Sequence, residues 1–355
     1  MAASGWLVPR SCAALNAGKV VKVRHNAPMS RFRTLAVALV VAALLSGGLA
    51  FSVGRREARS FPVITRYDLP PRPGHCSARP LQLAVVGDLH VSADTVPPAA
   101  VARLVAAINA LHPDYVLLVG DYLGDDWPRT RQGIAAALAP LAGLRPRVGT
   151  AAVLGNNDWI DGPGLVARQL TAANIHVLRN DAWVTPDAAF MGIEELISNT
   201  ANPVLAQERY AAAVARGDRR PRALRFWLAH QPILFDRVPT TGTLLVAGHT
   251  HGGQILPAIT LPVGRSLLRM LGITGWPAEN YDRGFYQRGA ERMLVTSGIG
   301  TSGPPLRLGV PPEIALVSVR PCPPLDVRSD FQRPGGGGDP AAGTIGTAVI
   351  GAPAR

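Results

Sequence analysis

Apolar residues along this chain form one long unbroken run and a series of short ones. The long run, from Thr34 to Val53, reads TLAVALVVAALLSGGLAFSV and carries no charge. About 20 apolar residues match the hydrocarbon thickness of a bilayer, so the run predicts a transmembrane helix. Arg31 and Arg33 precede it, and Arg55, Arg56 and Arg59 follow it, which suits a membrane segment better than a buried core helix. Two fates are open. One is a signal peptide cut near Gly48-Leu49-Ala50, with Met29 as an alternative start that shortens the region before it. The other, favoured here, is an uncleaved single-pass signal anchor in the cell membrane, with the rest of the chain extracytoplasmic.

Residues 1–33 then form a basic N-terminal tail, and the Arg- and Pro-rich residues 54–80 a linker. Over 81–320, short apolar runs alternate with helical spacing. Strands are predicted at 81–87, 115–119, 151–154, 175–178, 189–193, 226–229, 244–247, 293–297 and 314–319. Val101, Leu104, Val105, Ile108 and Leu111 share one helical face, and further helices are predicted over 131–143, 165–173 and 204–215. That order predicts a single α/β domain that becomes mostly β towards its end. Residues 321–355, with four glycines at 335–338, read as a disordered tail.

Composition removes several classes. With 47% hydrophobic and 17% charged residues the chain is not wholly disordered. Three cysteines in 355 residues exclude a disulfide-dense scaffold. The net charge of +12 invites a polyanion partner until it is located. Residues 1–80 hold 12 cations and 2 anions, residues 81–320 hold 21 and 19, and residues 321–355 hold 3 and 3. The excess belongs to the apolar run and its flanks, where it suits anionic lipid, and no nucleic-acid partner is expected.

Chemistry concentrates at predicted strand ends. The first ends in Gly87-Asp88-Leu89-His90, the second in Gly120-Asp121, the third in Gly155-Asn156-Asn157-Asp158. Later strands end in Ala229-His230 and in Gly248-His249-Thr250-His251-Gly252-Gly253. A single Gly-Asp after a strand is usually a turn. Five such ends in one domain, however, bring Asp88, His90, Asp121, Asn156, His230, His249 and His251 to one rim, because open α/β sheets build sites at the carboxyl ends of strands. Mixed imidazole and carboxylate donors suit Mn, Fe, Zn or Co. His176 reads as a partly buried strand residue and His112 as a surface helix end.

The ordered set GD-x-H, GD, GN-x-D, AH and GH-x-H resembles the calcineurin-like metallophosphoesterase superfamily over about residues 81–320. LLVAGHTHGGQ, YDRGFY and TSGIGTSGPPLRLGVPPEIALVSV are similar to a bacterial membrane-associated branch that includes UDP-diacylglucosamine pyrophosphatases. The resemblance implies a four-layer αββα sandwich of two mixed sheets flanked by helices, and two divalent metal ions. It implies that Asp88, His90 and His251 hold the first metal. Asn156, His230 and His249 would hold the second, and Asp121 would bridge them. Hydroxide generated at such a pair would attack phosphorus in line with the leaving oxygen. Ligand histidines must be neutral, so activity is expected to fall in acid.

One residue departs from the pattern. Many members of the family carry His, assigned as general acid or transition-state stabiliser, where this chain has Asn157. Asn157 and Asp121 are thus the candidate catalytic residues. An amide can hydrogen-bond a phosphoryl oxygen but supplies no acid proton. A phosphodiester or pyrophosphate, whose leaving group is already stabilised, tolerates that loss best. The expected substrate is therefore a phosphorylated lipid or nucleotide.

Leu267, Leu268, Leu271 and Trp276, with interleaved Arg265 and Arg269, read either as a membrane or lipid-binding lip or as a core helix with solvated arginines. Cys76 and Cys322 flank the domain, either as a disulfide or as two free thiols. A nuclease, or a non-catalytic binding or scaffold protein on the same fold, are the competing functions. The first predicts a basic catalytic domain and the second missing ligands.

Overall fold

The computed structural model describes residues 29–70, 77–160, 162–217, 224–238, 243–255 and 281–322. Leu267, Leu268, Leu271, Trp276 and Cys76 lie outside the described residues, as do residues 1–28 of the basic tail and the tail beyond Cys322.

Two six-stranded sheets face each other. The first runs, in spatial order, β1 (Val63–Leu69), β12 (Glu313–Val319), β2 (Leu81–Val86), β3 (Tyr115–Val119), β4 (Gly149–Val153) and β5 (Ile175–Val177). The second runs β10 (Gly284–Arg288), β11 (Glu291–Val295), β9 (Leu244–Ala247), β8 (Leu224–Leu228), β7 (Ala188–Gly192) and β6 (Asp181–Val184). Strands β2 to β5 pair in parallel, as do β7, β8, β9 and β11. Their carboxyl ends therefore share a direction within each sheet.

Near-continuous apolar strands follow from burial on both faces. Side chains alternate across each sheet. Leu83, Val85, Leu117, Val119 and Val153 meet Phe190, Phe226, Leu228, Val246 and Leu294 between the sheets. Ala84, Val86, Val116 and Leu118 face the opposite way, into a core with α2 (Pro98–Ala110), α3 (Arg131–Leu138) and α5 (Pro163–Ala172). On the outer face of the second sheet, Trp227, Leu245, Met293 and Val295 pack with Ala206 of α6 (Pro203–Arg216). Helices, sheet, sheet and helix give the four-layer α/β arrangement expected from the resemblance.

The N-terminal region differs from the expectation. Helix α1 (Met29–Ala58) continues beyond Val53, and β1 then joins the first sheet beside β12. Much of the predicted linker is thus structured. Gly54 and Ala58, which look like linker residues in sequence, are buried against the domain. Phe32–Ala58 is long and apolar enough to cross a membrane, its most apolar 18 residues having mean hydropathy 2.3, and Leu35, Leu39, Leu44, Leu45 and Leu49 are exposed.

Candidate metal centre

Each motif sits where a parallel strand stops. Asp88 and His90 follow β2, Asp121 follows β3, His230 follows β8, and His249 and His251 follow β9. Asn156 opens α4 (Asn156–Ile160), directly after β4. The chain must turn sharply to aim these side chains inward. Asp88, His90, Asp121, His249 and His251 all have positive φ, between 40° and 73°. Such conformations cost about 1–3 kcal/mol each and persist where surrounding structure imposes them.

That structure is a mesh of short bonds. Asp88 N–H donates to Gly120 O (2.9 Å), and His90 N–H to Asp121 O (3.1 Å). His249 N–H reaches both Asp88 carboxylate oxygens at 2.9 and 3.0 Å, tying the two sheets together across the rim. Buried Asp158 accepts three backbone N–H bonds: Asp121 (2.9 Å), Tyr122 (3.0 Å) and Gly155 (2.8 Å). Glycine is needed where backbone touches carboxylate. A Cβ at Gly155 would overlap Asp121 Oδ1, and one at Gly248 would lie 2.5 Å from Asp88 Oδ2.

Two ligand clusters result. In each of Asp88–His90–His251 and Asp121–His230–His249, the potential ligand atoms lie within 4.8 Å of one another. Five of the six residues are buried. His90 Nε2 lies 3.1 Å from His251 Nε2, and His230 Nε2 lies 3.2 Å from His249 Nδ1. Asn156 Oδ1 is 3.0 Å from His230 Nε2. Asp121 Oδ2 stands between the clusters, 3.4 Å from His90 Nε2 and 3.3 Å from His230 Nε2. Converging imidazole nitrogens around one shared carboxylate oxygen are the donor set a pair of divalent cations takes. The residues present fit the metals that the resemblance implies.

Electrostatics point the same way. Burial pushes His249 down to about 4, helped by the charge of His230. Burial also holds His251 well below its ordinary range, reinforced by His90 and Arg307. Burial opposes charge on His230 as well, yet Asp121 and Asp88 overcome it and lift that imidazole to about 10. Burial raises Asp88 to about 6. For Asp121, burial is outweighed by the adjoining imidazoles, and its carboxyl stays well below the usual range.

Asn157 lies beside Asp121. Its Nδ2–H donates to Asp121 Oδ2 (2.7 Å) and its backbone N–H to Asp121 Oδ1 (2.9 Å). The residue secures the shared carboxylate. His176 is exposed on β5 and stacks on Trp183, with ring centroids 4.1 Å apart. His112 is exposed at the end of α2. Neither joins a cluster.

Sequence reasoning gave no role to Asp158 or Arg307. The former was visible as the last residue of GN-x-D. Arg307 is fully buried and comes within 3.4 Å of His251 Nδ1. Burial pushes its guanidinium down to about 10, with Asp88 the chief opposing charge, so it remains a cation at neutral pH.

Comparison with known proteins agrees with this geometry. The family model described as calcineurin-like phosphoesterase matches residues 81–253. A transmembrane protein with metallophosphoesterase domain from Bos taurus is 25% identical over 316 residues, covering 83% of this chain and 65% of that protein. An uncharacterized metallophosphoesterase from Helicobacter pylori is 28% identical over 244 residues, covering 68% and 60%. The chain thus spans less than two thirds of either relative. Phosphodiesterase YaeI from Escherichia coli is 30% identical over 257 residues, covering 68% of this chain and 83% of that protein. With paired ligand clusters at the strand ends of a double-sheet fold and these relatives, the chain belongs to the calcineurin-like phosphoesterase family, a family of metal-dependent hydrolases of phosphate esters.

Proposed function

We propose that the protein is a membrane-anchored two-metal hydrolase of a phosphodiester or pyrophosphate bond, acting on a lipid-linked or nucleotide substrate. The observation that carries this reading is Asp121 Oδ2, which lies within 3.4 Å of an imidazole nitrogen from each cluster. Asp88, His90 and His251 would hold one divalent cation. Asn156, His230 and His249 would hold the other, with Asp121 shared. Bound there, Mn, Fe, Zn or Co would supply Lewis-acid charge for the phosphoryl oxygens and an acidified water. The protein's part is positioning. Asp158 fixes the main chain at Asp121, Tyr122 and Gly155, and Asn157 fixes the Asp121 carboxylate.

Four observations support the finer points. The amide of Asn157 carries no acidic proton, which favours substrates with stabilised leaving groups. The Escherichia coli relative bears the name phosphodiesterase. The apolar α1 and the name of the Bos taurus relative favour a membrane location. Cys322 is disulfide-bonded, which favours an extracytoplasmic domain, since disulfides persist in oxidising compartments.

The test is a panel of activities after metal reconstitution. It compares a bis-aryl phosphodiester, an alkyl phosphomonoester, a UDP-sugar lipid and single-stranded DNA, with Asp121→Ala as control. Diester or pyrophosphate turnover should exceed monoester turnover, and Asp121→Ala should abolish both. Asn157→His should raise monoester turnover relative to diester turnover. An unchanged ratio would sink the leaving-group argument, and preferred cleavage of DNA would replace the substrate class with a nuclease.

A further inference from the structure

Helix α1 does not end as a free tether. Gly54 O accepts the backbone N–H of Arg307 at 3.0 Å. The two chains approach so closely that a Cβ at Gly54 would lie 3.2 Å from Arg307 O and 3.5 Å from Leu306 Cβ. One turn later the Glu57 carboxylate accepts Gly309 N–H at 3.0 Å. On the other side, Arg55 Nη2 reaches both oxygens of Asp94 (2.7 and 2.8 Å), and Arg59 donates to the same carboxylate. Asp94 lies four residues beyond His90. The last turns of α1 therefore grip two loops, one leading from a ligand of the first cluster and one carrying Arg307.

From Arg307 the contacts continue inward. Its side chain is completely buried, and among the described residues its hydrogen bonds go to carbonyls and to His251 Nδ1, none to a carboxylate. Nε and Nη2 both donate to Gly300 O (2.9 and 2.6 Å). Nη2 also donates to Ser297 O (2.8 Å) and Nη1 to Val310 O (3.1 Å). A buried cation that hydrogen-bonds no carboxylate is costly even with Asp88 nearby, so its place needs a reason. Gly300 supplies one. Its oxygen lies 3.3 Å from His251 Nδ1, and its N–H donates to Asp88 O at 2.7 Å. A Cβ on Gly300 would strike Leu89 O and lie 2.8 Å from His90 Cβ. Gly300 thus bonds Asp88 and His251 and lies close beside His90, and Arg307 fixes Gly300.

We infer that Arg307 is a positioning residue that connects the last turns of α1 to Asp88, His90 and His251, making the apolar helix a structural part of the first metal site. His251 can donate Nδ1–H to Gly300 O only while that carbonyl is aimed at it, and in this tautomer Nε2 carries the lone pair that a ligand needs. Outer partners of metal-binding histidines typically change metal affinity by about 10–100-fold when removed. The inference rests on the two-metal reading of the site.

The experiment uses the full-length protein in detergent, stripped of metal and equilibrated with Mn or Zn. Bound metal is counted by mass spectrometry across a range of free concentrations. Two variants are compared with the native chain: Arg307→Lys, and Gly54→Leu, which wedges α1 from the Leu306–Arg307 backbone without touching a ligand. Circular dichroism checks the fold of each. The native chain should bind two ions. Both variants should keep one and lose about 10–100-fold in affinity for the other. If Gly54→Leu folds and binds two ions with native affinity, the coupling to α1 is wrong. If Arg307→Lys weakens both ions equally, Arg307 is merely structural. A native chain that takes up no metal overturns the two-metal reading itself.

Discussion

Asp121 and His230 show how far single residues govern this site. The candidate ligands were legible in the sequence because Asp88, Asp121, Asn156, His230 and His249 each follow a glycine or alanine at a strand end, with His90 and His251 two residues further on. The strand ends themselves were marked by short apolar runs. Their protonation was not legible, since it depends on contacts between motifs over 100 residues apart. In the metal-free protein, Asp121 and Asp88 hold His230 up to about 10 against the effect of burial. At pH 7 that imidazole is therefore charged, whereas a ligand must be neutral. Metal uptake must release this proton, and affinity should weaken by about tenfold per pH unit for each proton released as pH falls. Titration calorimetry at pH 7 in two buffers of different ionisation enthalpy would measure it. The expected heat differs between buffers by at least one proton per pair of metals. Equal heats in both buffers would show that His230 enters the site already neutral. Arg307 escaped sequence reasoning for another reason. A lone arginine in a Gly- and Pro-rich loop has no spacing that marks it, and only its burial identifies it.

At the level of elements, the strands that sequence patterning found are the inner ones, together with the short outer strand β5. The strands it missed are β1, β6 and β10, which are edges of the two sheets. Inner strands are buried on both faces and read as apolar runs. Edge strands are half-exposed, and their composition blurs. In β1, VITRYDL, only Leu69 is fully buried. Its pairing is nonetheless complete, with Val63 to Leu69 in parallel register with Glu313 to Val319 and Tyr67 O–H donating to Glu313 at 3.1 Å. Without β1, the apolar β12 would become an open edge, a template for aggregation. A shortened chain beginning at Ser52 keeps the α1 docking residues and β1, whereas one beginning at Ser77 lacks both. The first should run as a single species in size-exclusion chromatography with light scattering, and the second should aggregate. A monodisperse chain from Ser77 would mean that β1 is dispensable cover.

Over the whole molecule, positive charge gathers around α1 and the two ends of the domain meet. The +10 of residues 1–80 lies around α1, which leaves residues 81–320 near neutral. The domain closes on itself where Ser77 bridges Pro321 in parallel and Cys322 N–H donates to Ser77 O at 2.9 Å. Cys322 is disulfide-bonded, and Cys76 is the residue next to that bridge in the chain. Cys12 lies before the apolar run. We therefore expect a Cys76–Cys322 pair, which would clasp the start of the first sheet to the end of its last strand. Closing so long a loop contributes about 2–5 kcal/mol, so Cys322→Ser should lower the unfolding temperature without altering the metal count. The diagnostic measurement is alkylation of membranes prepared with a thiol-blocking reagent, read by mass before and after reduction. One modified cysteine before reduction and three after it would establish both the pair and an oxidising compartment for the domain. Three modified cysteines before reduction would place the domain where thiols stay reduced. The extracytoplasmic orientation would fall with the disulfide, while the metal centre, which uses no cysteine, would stand.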